Sequence, residues 1–100
     1  AEGVVEFADA AALARSGLVD AVIVASPNNT HREVLEPLFG EGLAILCEKP
    51  LATTIPDARW IVEQAQASGR PFWTAMEYRY MPPAVDFIAQ VHAGLLGRLR

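Results

Sequence analysis

The sequence predicts an α/β fold, the C-terminal part of a doubly wound parallel sheet, and three observations predict it. Short apolar runs at residues 20–25, 43–47 and 72–76 are each followed by a stretch of helical periodicity, the rhythm of β-α units. In the first run, Asp20-Ala21-Val22-Ile23-Val24-Ala25, the β-branched residues do not alternate with polar ones, so helices are expected over both of its faces. Each run also ends in a markedly polar motif, at the edge where open parallel sheets hold their ligands.

The elements follow in order. Val4-Val5-Glu6-Phe7 reads as an early strand and residues 9–17 as a short Ala-rich helix. After the strand at 20–25, Thr30-His31-Arg32-Glu33 has the spacing of a capping box. It predicts a helix with Val34, Leu35, Leu38 and Phe39 as its apolar stripe, kinked at Pro37, which removes a backbone hydrogen bond. Gly40-Glu41-Gly42 ends that helix, and Leu43 to Cys47 forms the second buried strand, stopped by Pro50. Thr54-Ile55-Pro56-Asp57 opens the next helix, which runs through Ile61, Val62 and Ala65 to Ser68-Gly69. The third strand, Phe72 to Met76, leads into Glu77-Tyr78-Arg79-Tyr80, and Pro82-Pro83 introduces a last helix bearing Val85, Ile88, Val91 and Leu95.

The bulk properties narrow the class of function. With 100 residues, 52% of them apolar, and a formal charge of −4, the chain has material for a core. It lacks the basic cluster that nucleic acid or an anionic membrane requires. Its apolar runs fall far short of the roughly 20 residues that span a bilayer. A single cysteine, Cys47, permits no intrachain disulfide, so a reducing cytoplasm is the default expectation. The chain opens without Met or a secretory signal and closes without a helix cap or polar tail, so both ends read as internal to a longer protein.

Three strand ends carry the candidate chemistry: Ser26-Pro27-Asn28-Asn29-Thr30-His31, Glu48-Lys49-Pro50 and Glu77-Tyr78-Arg79-Tyr80. Lys49 is the only lysine among eight basic residues and follows a buried strand; it suits proton transfer at a desolvated sheet edge, or an ion pair that merely caps the strand. Glu48 points to the opposite side and serves either a ligand or solvent. Pro27-Asn28 is a turn signal at a strand-to-helix corner, a position that also favours anionic or hydroxyl-rich ligands. His31 is either a donor to a ribose or carboxamide, or a capping or surface residue. Arg79 binds a phosphate or a ring, or braces the helix after it. Trp60 and Trp73 are expected in the core, Cys47 as an inert core thiol, and His92 on a helix surface. No metal site is expected.

In order and spacing, Val19 to Asn28 with His31, then Cys47-Glu48-Lys49-Pro50-Leu51-Ala52, then Tyr78-Arg79-Tyr80-Met81-Pro82, then Gly94-Leu95-Leu96-Gly97, resemble the Gfo/Idh/MocA family. The resemblance implies a Rossmann domain that binds NAD or NADP, followed by a larger α/β domain for substrate and for self-association into homo-oligomers. On that basis residues 1–80 are expected to be a partial cofactor domain, and residues 81–100 the connection to the second. The resemblance also places Ser26, Pro27, Asn28 and His31 toward the nicotinamide, Glu48 at its ribose, Arg79 near the cofactor, and Lys49 between nicotinamide and substrate. It implies hydride transfer between NAD(P) and a carbinol carbon of a sugar, cyclitol or related polyol, with Lys49 moving the hydroxyl proton.

Glu77 departs from the neutral residue common in the family and leaves its own role open. The Gly-x-Gly-x-x-Gly phosphate loop and an acidic ribose-reading residue do not occur in the chain, so NAD and NADP are not distinguished and the piece alone is expected to be inactive. Two alternatives stand beside this reading. One is a cofactor-binding sensor of the same fold that performs no turnover. The other is a β/α-barrel enzyme with Lys49 as a Schiff-base nucleophile.

Overall fold

Parallel strands need crossover connections, and this chain supplies one between each successive pair of its three strands. The structure, a computed structural model, describes residues 3–98. Strands β1 (Ala21–Val24), β2 (Ala44–Cys47) and β3 (Phe72–Thr74) form one parallel sheet in the order β1-β2-β3. Val22, Ile45 and Phe72 lie side by side across it, as do Val24, Cys47 and Thr74. Helix α1 (Ala10–Arg15) precedes β1, α2 (His31–Leu35) joins β1 to β2, α3 (Ile55–Ser68) joins β2 to β3, and α4 (Pro82–His92) follows.

The core lies on one face of the sheet. Val22, Val24, Ile45 and Cys47 pack there with Leu35 of α2, Leu38, Leu43, Ile61 of α3 and Ala14 of α1. The opposite face carries Ile23 and Trp73, which remain 72% and 60% exposed. The expectation that both faces of β1 are covered is therefore corrected. Both faces are apolar, but the helices that pack on the strands among the described residues build only one layer. Trp73 is accordingly not a core residue.

Local chemistry sets the helix ends. Asp9 caps α1 by accepting a hydrogen bond from the Ala12 amide at 2.7 Å. Thr54 caps α3: its hydroxyl oxygen accepts from the Asp57 amide and its O–H donates to the Asp57 carboxylate at 2.6 Å. Such a cap contributes about 1 kcal/mol. Gly69, at φ 62°, ends α3 in the left-handed conformation that glycine adopts without a Cβ clash.

Three element predictions are corrected. Residues 4–7 form no strand, and Val4 and Val5 are exposed with no neighbouring strand to pair with among the described residues. The helix expected from Thr30 past Pro37 is only His31–Leu35, preceded by a 3-10 turn at Asn28–Thr30. Pro37 has no N–H to continue the ladder, so the helix stops before it instead of kinking. Thr30 forms no capping box, because its hydroxyl donates to the Pro27 carbonyl at 2.7 Å and meets the Ser26 hydroxyl at 2.9 Å. The third strand is also shorter than expected, and the Met76 amide turns back to the Thr74 carbonyl.

Trp60 is half-buried: its ring meets Phe39 edge-on at 5.9 Å, with the Arg32 guanidinium 3.4 Å from its centroid. Helix α4 packs against the 3-10 turn Glu77–Tyr80 and buries none of its side chains. Among the described residues, no helix is long and apolar enough to cross a membrane.

Candidate functional site

Because the strands are parallel, their carboxyl ends fall on one edge, and the three polar motifs emerge there together. The ladder continues one step beyond β2 and β3. The Glu48 amide donates to the Val24 carbonyl at 2.9 Å, and the Ala75 amide donates to the Cys47 carbonyl at 2.8 Å. The chain then diverges into the Ser26–Asn28 corner, the Glu48–Pro50 turn and the Glu77–Tyr80 turn.

Two of these motifs enclose a common space. Lys49 and Pro50 line a cleft of about 360 Å³ with Met76, Glu77, Tyr78 and Arg79. Lys49 is exposed and, among the described residues, makes no ion pair of the kind that would cap its strand. Glu48 folds back so that its carboxylate accepts from the Lys49 amide at 3.1 Å. The Lys49–Pro50 peptide bond is cis. Arg79 also borders a second hollow of about 440 Å³ with Trp73 and Tyr80, where the Trp73 indole N–H donates to the Tyr80 hydroxyl at 3.1 Å.

The third motif stands apart from the cleft. Pro27 and Asn28 are exposed and Ser26 is half-buried, and none of them lines the Lys49 cleft. Met76 and Tyr78 were not singled out as site residues by sequence reasoning. The only signal for Tyr78 was its place beside Arg79 at a strand end, and Met76 read as the end of the strand itself. Glu77, whose role the sequence left open, is placed in the cleft with both cations.

His31 is not a surface residue, since its side chain is 1% exposed. Nδ1 lies 3.1 Å from the Pro50 carbonyl oxygen and 3.3 Å from that of Leu51, and Nε2 lies 3.1 Å from the Ser26 carbonyl oxygen. The ring therefore sits beneath the corner and the turn, facing backbone on both sides.

Cys47 is fully buried beside His31, with Sγ 3.5 Å from Nδ1. Burial, with a smaller contribution from the Glu48 charge, pushes its thiol up from the usual 9.0 to about 11. The raised value favours the neutral thiol in the folded state. Its stabilising contribution is thus complete below 9.0 and is lost as pH rises from there through about 11. The reactive thiolate is correspondingly scarce at neutral pH. Iodoacetamide at pH 8 should leave Cys47 unmodified in the folded chain and label it in urea, as read by intact mass; rapid labelling of the folded chain would contradict this burial.

The described residues contain no group of three or more His, Cys, Asp or Glu side chains arranged to hold a metal ion. The site's chemistry is instead that of one ammonium, one guanidinium, one carboxylate and an aromatic ring around a cleft, beside an exposed amide corner.

Comparison with known proteins agrees with this architecture. The family model GFO_IDH_MocA, described as an oxidoreductase family with an NAD-binding Rossmann fold, matches residues 1–76. The chain is 40% identical to inositol 2-dehydrogenase 1 of Saccharopolyspora erythraea, over 94% of its own length and 28% of that protein's. It is 32% identical to the rhizopine catabolism protein MocA of Rhizobium meliloti, over 97% of its length and 31% of the relative's. A solved inositol dehydrogenase homologue from Azotobacter vinelandii, complexed with NAD+, superposes with a TM-score of 0.77 at 33% identity, covering 87% of this chain and 23% of that one. The chain thus spans less than a third of the length of these relatives. The Rossmann match sets aside the β/α-barrel alternative.

Proposed function

Since this chain belongs to the Gfo/Idh/MocA oxidoreductase family, we propose that it is the carboxyl-edge part of the cofactor domain of a longer NAD- or NADP-dependent enzyme. That enzyme transfers a hydride between the nicotinamide and a carbinol carbon of a sugar, cyclitol or related polyol. The observation that carries the proposal is the cleft in which an exposed Lys49, without an ion pair among the described residues, faces Glu77, Tyr78 and Arg79 at the sheet edge.

The residues present fit the nicotinamide and ribose end of such a cofactor. The Ser26-Pro27-Asn28 corner offers a hydroxyl, an amide and exposed backbone, and half-buried Glu48 offers a carboxylate to ribose hydroxyls. Arg79 supplies positive charge on the far side of the cleft. His31 supports the corner and the turn from beneath. When bound, the nicotinamide accepts or gives the hydride.

The remaining steps are the protein's. Glu77 and Tyr78 orient substrate hydroxyls by accepting and exchanging hydrogen bonds, and Lys49 Nζ takes the hydroxyl proton as the carbinol is oxidised and returns it in the reverse direction. Residues 1–80 belong to the cofactor domain and residues 81–100 lead into a substrate domain through which the protein self-associates. Its buried, unpaired thiol suits a reducing cytoplasm.

The test is a screen of the intact protein with NAD or NADP against inositols and sugars, read at the reduced-nicotinamide absorbance band. Polyol-dependent reduction is expected. Cofactor binding with no turnover on any polyol would favour the sensor reading.

A further inference from the structure

We propose that His31 is a positioning residue that ties the Lys49 turn to helix α2 through its Nδ1 side. The proposal rests on the reading of Lys49 as the proton-transfer group, but its geometry stands independently. The last backbone hydrogen bond joining β1 to the β2 extension is the one from the Glu48 amide to the Val24 carbonyl. Beyond it the two chains separate, and the His31 ring fills the space between them. Nδ1 faces the Pro50 and Leu51 carbonyls, and Nε2 faces the Ser26 carbonyl. Lys49 is thus held on its N-terminal side by the ladder and on its C-terminal side by the imidazole.

Carbonyl oxygens only accept, so each tie forms through a ring N–H. A neutral ring carries one such proton, and the tie from Nδ1 to Pro50 is the one that holds the Lys49 turn. The ring is almost wholly buried, and a buried polar side chain without partners is costly, so these contacts define how the ring sits. Helix α2 anchors it from below: His31 and Leu35, one turn apart, are its two buried residues. A shift in the core under Leu35 is therefore passed through the ring to the turn that carries Lys49. With both ring nitrogens facing backbone carbonyls, His31 acts through where it places its neighbour.

Three substitutions in the intact protein separate the ties. In His31→Asn the amide nitrogen stands near the place of Nδ1 and can reach Pro50; in His31→Gln it stands near Nε2 and can reach Ser26; His31→Leu keeps bulk without a donor. His31→Leu should lower kcat by about 10- to 100-fold, the scale of an ångström-size misplacement. The cofactor KM should change less than about threefold. His31→Asn should recover most of kcat and His31→Gln should not. A non-specific packing defect would instead lower both alike.

Amide hydrogen exchange of residues 48–52, measured without substrate, provides a readout that does not depend on Lys49 chemistry. It should accelerate about tenfold in His31→Leu and His31→Gln, with α3 unchanged. If His31→Leu does not fold, the contrast between Asn and Gln decides. Unchanged exchange in these variants overturns the tie. Accelerated exchange with unchanged kcat overturns the positioning role; an unchanged kcat in Lys49→Met as well would trace that failure to the reading of Lys49.

Discussion

Substituting Lys49→Met in the intact protein should reduce kcat by about 10²- to 10⁴-fold, the contribution of a positioned general acid or base. Methionine keeps much of the apolar stem but removes the group that carries the proton. Because Lys49 is exposed in the cleft and makes no ion pair among the described residues, its loss leaves no buried countercharge stranded. Unfolding is therefore not expected, and cofactor affinity, which the proposed function assigns to the Ser26–Asn28 corner and Glu48, should change little. Lys49→Arg is the sharper control. It restores the positive charge but not a group that gives up its proton, so it should remain nearly as impaired as Lys49→Met. Steady-state kinetics on a turned-over polyol reads both. Full activity in Lys49→Arg would reduce the residue to an electrostatic role.

The second large effect lies in the core. Ile61→Ala should destabilise the intact protein by about 2–5 kcal/mol, the cost of deleting a buried aliphatic side chain and leaving a cavity. Ile61 has no exposed surface and is the one fully buried residue of α3, in the same apolar cluster as Leu35, Val22, Val24, Ile45 and Cys47. Urea unfolding should show a lower midpoint with an unchanged slope. A shift below about 0.5 kcal/mol, the scale of an ordinary surface substitution, would mean that the cluster is not the core.

Much of this was legible in the sequence because strands and rim motifs are local signals. The runs at Val22-Ile23-Val24 and Ile45-Leu46-Cys47 are strands in the structure, and the polar motifs that follow them emerge on one edge. Membership of the family and the Rossmann architecture agree with the resemblance those motifs carried.

The rest depended on long-range partners. An apolar run shows that both faces of β1 avoid polar groups, but not which face has a helix over it. His31 follows a polar turn and looks exposed, yet its partners Pro50 and Leu51 lie 19 and 20 residues away along the chain. Thr30 fits a capping box by spacing, but its hydroxyl is taken by Pro27, just before it. Trp60 has the composition of a core residue, and only the fold shows Arg32 stacked on its ring. Glu77 was visible as a departure from its family, and the fold adds the cleft it shares with Lys49 and Arg79.

The central claim is direct hydride transfer at this sheet edge, and isotope transfer tests it most directly. The intact protein is incubated with oxidised nicotinamide cofactor and an inositol deuterated at its carbinol carbons, and the reduced cofactor is analysed by mass spectrometry. One deuterium per reduced nicotinamide is expected, with the labelled cofactor formed about 10²- to 10⁴-fold more slowly in Lys49→Met. Reduced cofactor without deuterium, or labelled cofactor formed at an equal rate in Lys49→Met, would contradict the account.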